Sequence, residues 1–529
     1  MKKPLLLLFI CAFLPLFAQA QDDNEMFLRA LHDEMSRTQK ELRTAGSPAP
    51  FFIGYDLLDA ASVSATAQFG QTIVFPRVER SVLASVLMSV GNQKTDNWGL
   101  DNTRVIAYNS AVPRSYYGVR QSLWELSDMV YAKAIQLYDA KAAFKRNKNI
   151  TSNLPDFLPA QTIGYLNALT EPDLISAAQT EQLARELSDW GKDKKFVENF
   201  SVTVSHVHHD LYYVNSEGSS YRDSHPQFLV TWSARIRNKA GYVSTFSKEE
   251  HFLRPDAQTL EEIRQLSADF RTQIENAYDA KKADESYIGP VLLEPNASAW
   301  LFEQVFIPQI TNLKPLLDTT AQNGGNFRDK LGKRVMSNLV SVYDRPQVHE
   351  YKNRTLYFRG YFDDEGIPAQ NITLVQNGKL KELPRSRRPL DKNAKSNGHA
   401  FSSPATLSFP REKTTNVWVE SLRPQTPAQL EQQLLAKCRD MEMEYCYIVK
   451  TLPEPVAQRI YTSDGHKETV FGLRVSGVTT RALRDIIGAG DDYEVTGGGR
   501  FVIPSLLVEE LEFVPITDEP EKAPFVPKP

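Results

Sequence analysis

The chain has 529 residues, 61 basic and 65 acidic side chains and a net charge of −4. This mild acidity excludes the basic surface a nucleic-acid binder normally carries. The composition is otherwise that of an ordinary globular protein, and the length predicts two to four domains.

Lys2 and Lys3, the apolar run Pro4 to Phe17 and the small-x-small triplet Ala18-Gln19-Ala20 read as a secretory signal peptide. A mature chain starting at Gln21 is expected to be periplasmic or secreted. No other stretch approaches the ~20 apolar residues of a membrane span, so no membrane anchor is expected. Cys438 and Cys446 then remain. An oxidising compartment allows them to pair, but spacing alone leaves a bridge and two unpaired core thiols equally open.

The pattern predicts an amphipathic helix carrying Leu28, Leu31, Met35 and Leu42, stopped by Gly46 and Pro48. Val63, Ala65, Ala67 and Phe69 alternate as a strand, with Glu79 to Val90 as its partner. A long helix is expected from Val119 to Arg146, the run Lys141 to Lys148 forming its solvated end. Glu181 to Trp190 and Thr259 to Ala280 are further helices. Phe200 to Val214 and Gln227 to Asn238 are strands around the turn Asn215-Ser216-Glu217-Gly218. Beyond Tyr287 short strands dominate. Asn377-Gly378 is a hairpin turn, Thr426-Pro427-Ala428-Gln429 is a capping box opening a helix, and Thr479 to Ile487 reads as a short helix.

These elements predict a multi-domain α+β protein. Residues 1–20 are the leader, 21–153 a mixed N-terminal domain and 154–286 a central α/β domain. Residues 287–517 form a C-terminal domain of antiparallel, barrel-like β structure, and 518–529 a proline-rich tail.

Several motifs in order resemble the TldD/PmbA family of metallopeptidases. They are Gly54-Tyr55, Asp101-Asn102-Thr103, Asn215 to Gly218, Lys330 to Val335, Asp344-Arg345-Pro346, Asp363-Asp364-Glu365-Gly366, Asn377 to Leu380, Ser396-Asn397-Gly398-His399 and Gly472 to Gly477. In that family two helix histidines five apart and a later cysteine hold zinc, and the glutamate after the first histidine is the general base. Here the histidine positions hold Phe302 and Ile307, only Glu303 remains, and Thr496-Gly497-Gly498-Gly499 contains no cysteine. The resemblance implies the family fold and a homodimer, or a heterodimer with a zinc-bearing homologue. It also implies a member without zinc or another cofactor, which binds peptide or unfolded polypeptide or forms the inactive half of a peptidase assembly.

Other candidates were weighed on their residues. Glu303 either lines the cleft or, more simply, is a solvent-facing or capped helix residue. His206, His208 and His209 lie on one strand, with His225 opposite His209 if the turn centres on Glu217. A metal pair there competes with ordinary polar contacts, which is the simpler reading. Asp363, Asp364 and Glu365 read as a turn ending in Gly366 rather than as catalytic acids. Arg385, Arg387, Arg388, Lys392 and Lys395 form a basic loop, either a carboxylate clamp or, more simply, solvated. His399 stands by the presumed cleft, with Ser396, Ser402 or Ser403 as nucleophile partners, although no Gly-x-Ser-x-Gly elbow is present. Two alternatives follow: an active hydrolase with a site rebuilt on Glu303, His399 or the 206–209 cluster, and an interaction protein of the envelope.

Overall fold

A computed structural model describes residues 17–100, 106–318, 325–392, 395–403, 408–453 and 456–517. Most of the expected leader, the Asp101-Asn102-Thr103 motif and the tail lie outside these residues. Among them no helix is long and apolar enough to cross a membrane.

The first half is built on one antiparallel sheet. Its long strands Val78–Asn92, Pro50–Gln68, Val197–Asn215 and Ser220–Arg237 lie side by side, and Val243–Phe252 pairs with Ser220–Arg237. Pro50–Gln68 pairs with Val78–Asn92 on one flank and Val197–Asn215 on the other. The sheet therefore runs through the boundary expected at residue 153. Period-two alternation sorts the side chains. Tyr55, Val86 and Val214 pack under the helices Phe17–Glu41 and Tyr116–Asn147. Phe200, Val202 and Trp232 pack under Ala177–Ser188 and Ala257–Asp279. The intervening positions, Asp56, Leu58, His209, Leu211 and Tyr213, face the other way and line a cleft. The turn at Asn215 closes its hairpin with His209 opposite His225, the predicted register.

The second half holds two larger sheets sharing one core, from Tyr287 and Val291 to Leu506 and Phe513, beside two two-stranded ones. Pairing is mostly antiparallel, with parallel joins between Tyr287–Leu293 and Tyr445–Val449 and between Val417–Ser421 and Phe501–Ile503. Asn377 and Gly378 take the left-handed conformation their hairpin needs, with φ of 50° and 75°. Thr426 caps the helix Pro427–Asp440 through a complete capping box. Cys438 and Cys446 form a disulfide with a Cα–Cα separation of 6.3 Å. The helix expected over 479–487 is a single turn, Arg481–Arg484. From Ile486 the chain joins the antiparallel strand Leu506–Pro515 instead, because sheet pairing outweighs local helix propensity there.

The halves are joined by buried charge, and two expectations fail here. Lys141, expected in a solvated helix end, is 2% exposed. Its amine lies 2.9 Å from Asp96 and 2.7 Å from Asp156. Arg387 and Arg388, expected in a solvated loop or a ligand clamp, are also buried. The Arg387 guanidinium donates to both Glu217 oxygens at 2.6 Å and lies over the Phe157 ring. That of Arg388 donates to Asp96 at 2.7 Å, approaches Glu365 at 3.7 Å and stacks on Trp98. Planar guanidinium forks satisfy buried carboxylates and stack on rings as an ammonium cannot.

Candidate functional site

A cleft of about 1500 Å³ separates the inner face of the first sheet from the second half. On the far wall the strand Tyr287–Leu293 leads through Pro295, at the first helical position, into the short helix Pro295–Leu301. The helix then widens into a π-turn over Phe302–Phe306, in which Ile307 N–H donates to the Phe302 carbonyl. An α-helix would set positions five apart about 140° around its axis, whereas an i→i+5 turn draws them toward one side. Pro308 follows with no N–H, so the ordinary helical register cannot run through it.

This turn presents the three residues of interest. Phe302 is fully buried, edge-on to Phe306. Ile307 is buried and lines the cleft, and so does Glu303. Glu303 faces the cleft with its side chain 38% exposed. It is not free: Arg500 Nη1 donates to both its oxygens, at 2.6 and 2.8 Å, and Arg500 Nη2 donates to Thr414 Oγ1 at 3.0 Å. Arg500 is brought there by Gly497, Gly498 and Gly499, all at positive φ. At Gly499 a Cβ would stand 2.9 Å from both Thr355 O and Tyr357 N, so only glycine fits.

Asp56 comes from the first sheet, and burial, with the Asp364 carboxylate nearby, pushes its pKa up to about 8. Asp364 accepts from the backbone and hydroxyl of Ser402; burial raises its pKa too. Neighbouring Asp363 is spent on the turn, accepting from Glu365, Ile367 and Ala400 N–H groups, as the turn reading requires. Two cations line the cleft with no carboxylate within ion-pair distance among the described residues, Arg359 and Lys413. Arg359 donates to Pro226 O, and burial lowers its pKa to about 10. Burial also lowers that of Lys413. Burial, then the charge of Arg359, holds His225 at about 3, so it is a neutral imidazole. Tyr213, Tyr221, Trp300, Phe358, Phe362 and Phe401 complete the walls.

The other expected residues are placed differently. His206 and His208 point to the helix face: His206 Nδ1 accepts from Ile175 N–H at 3.1 Å, and His208 Nε2 lies 3.0 Å from Asp210. Only His209 of that cluster reaches the cleft. Among the described residues no group of three or more His, Cys, Asp or Glu side chains is placed to share an ion. His399 does not line the cleft. It is fully buried, 3.4 Å from Asp344, with Nδ1 3.0 Å from the Asn397 carbonyl. Ser396 donates to Arg385 O at 3.1 Å, and Ser402 serves Asp364, so neither is paired with His399; the Ser403 side chain lies outside the described residues. Sequence reasoning missed Asp56, Arg359, Lys413 and Arg500 as cleft residues. The one available signal was the Gly497–Gly499 run before Arg500, which forces the backbone close to its neighbours.

Residues 286–514 match the family model described as the PmbA/TldA metallopeptidase C-terminal domain. A curated metalloprotease from Methanocaldococcus jannaschii is 32% identical over 134 residues, 25% of this chain and 26% of that protein. The chain thus matches about a quarter of that relative's length. The structure of TldE from Thermococcus kodakarensis superposes with a TM-score of 0.63 at 13% identity, covering 92% of this chain and 99% of that one. A Thermotoga maritima structure, provisionally assigned as a modulator of a DNA gyrase, gives 0.61 at 17% identity, covering 92% and 100%. Both likenesses establish a shared fold along nearly the whole chain.

Proposed function

We propose that this chain, which belongs to the TldD/PmbA family, binds extended peptide in its central cleft without zinc-dependent cleavage. The observation that carries the reading is the Glu303–Arg500 ion pair beside Phe302 and Ile307. The zinc that the family implies needs two imidazoles and a thiolate, and a glutamate free to take a proton from bound water. Hydrocarbon side chains at 302 and 307 offer no lone pair to a metal. Both Glu303 oxygens accept from a guanidinium, which leaves the carboxylate occupied. The residues present do not fit that ion.

What remains suits binding. The cleft is long, walled by aromatic rings, and contains donors and acceptors from both halves of the chain, the usual make-up of a peptide site. With Asp56 protonated near neutral pH and Arg500 matched by Glu303, Arg359 and Lys413 are the cations left for a peptide carboxylate, and of the two only Lys413 feels a nearby carboxylate, Asp364. Export, and assembly as a homodimer or with a zinc-bearing relative, belong to the same reading.

The test is fluorescence anisotropy of the full-length chain with a labelled unstructured peptide, followed by mass spectrometry of the recovered peptide. Saturable binding with the peptide intact is expected. Rapid cleavage, or no binding at millimolar protein, would refute the reading.

A further inference from the structure

A smaller cavity of about 120 Å³ lies at the joint between the halves and shares no lining residue with the peptide cleft. Lys145 from the Tyr116–Asn147 helix lines it, with Lys314, Arg388 and Arg411 from the second half; Lys141 also reaches it. The two carboxylates in its wall are already engaged. Asp156 pairs with Lys141 and accepts from Asp96 N–H. Glu412 accepts from the Ser386 hydroxyl and from Leu313 N–H.

The cations are less well matched. Among the described residues the amines of Lys145 and Lys314 have no hydrogen-bond or ion-pair partner. Arg411 donates to the carbonyls of Asn312 and Lys314 and to no carboxylate. Arg388 is 6% exposed, and its Nη2 is buried with no hydrogen-bond acceptor. Buried donors are normally satisfied, and an orphan calls for an explanation. Burial, then the charge of Arg388, lowers the pKa of Lys314 against the opposing pull of Asp156 and Asp96.

We propose that this cavity is an oxyanion site, which takes inorganic phosphate or sulfate between Lys145, Lys314, Arg388 and Arg411. With a water's share of liquid at about 30 Å³, the cavity admits a tetrahedral oxyanion and excludes a peptide. A bound anion satisfies the orphan Nη2, offsets the charge surplus and ties the long helix of the first half to the second.

The experiment is thermal unfolding of the full-length chain against sodium phosphate, sulfate and chloride at matched ionic strength. Phosphate and sulfate are expected to raise Tm saturably, by about 2 °C or more, and chloride to have no such effect. Lys314→Met, which removes an unpartnered charge from the cavity wall, should abolish the shift; Lys314→Arg should retain it. Equal shifts in all three salts, or an undiminished phosphate response in Lys314→Met, would overturn the proposal. Peptide binding is read separately, so neither result decides the other.

Discussion

Replacing Arg388 by alanine is expected to lower the free energy of unfolding by about 3–5 kcal/mol, the range for removing one partner of a buried ion pair. Asp96 and Glu365, at 0% and 1% exposure, would lose the guanidinium that faces them both, and Trp98 its stacked cation. Lys141 still holds Asp96, which places the loss toward the lower end. Lysine at 388 should not rescue, since one ammonium can neither bridge two carboxylates nor lie flat on an indole. Urea unfolding followed by tryptophan fluorescence and circular dichroism checks this. A loss below about 1 kcal/mol, as for a surface pair, would show the joint to be incidental. The same network sets an acid limit. Asp96 is ionised down to about pH 2, held there by Arg388 and Lys141 against burial. A folded pKa below the ordinary 3.8 stabilises the fold above that value. The contribution is lost as pH falls from there through about 2.

The second large effect concerns binding. Arg359→Met should weaken an unstructured peptide with a free C-terminal carboxylate by about 10- to 100-fold, the equivalent of one charge-assisted hydrogen-bonded contact. A peptide amidated at its C-terminus and free of acidic side chains should bind the variant and the parent alike. Arg359 is singled out because its pKa is shifted by burial alone, so no neighbouring carboxylate answers its charge. Competition anisotropy with the two peptides measures the difference. Equal losses for both would reduce Arg359 to a wall residue.

The sequence disclosed what is local. The strands around Asn215 to Gly218 and around Asn377-Gly378 could be read because turn chemistry and two-residue alternation act over a few residues. The capping box at Thr426 was readable for the same reason. Phe302 and Ile307 needed only a comparison of residue types at two positions. What failed was set by distant partners. Glu303 is matched with Arg500 across 197 residues, Arg387 with Glu217 across 170 and Arg388 with Asp96 across 292. A run of arginines and lysines reads as solvated until the fold delivers carboxylates and aromatic rings to it. His399 misled for the opposite reason: its neighbours Asn397 and Gly398 suggest a site loop, yet the loop folds inward and the imidazole meets Asp344 in the interior. The π-turn at Phe302 has no signature in side-chain periodicity.

The most direct test is elemental analysis of the full-length chain after zinc saturation and gel filtration, with peptide cleavage assayed on the same sample. A cleft closed to the ion by Phe302, Ile307 and the Glu303–Arg500 pair predicts far less than one zinc per chain and peptide recovered whole, with or without chelator. One tightly held zinc per chain, with cleavage that a chelator abolishes and zinc restores, would contradict it.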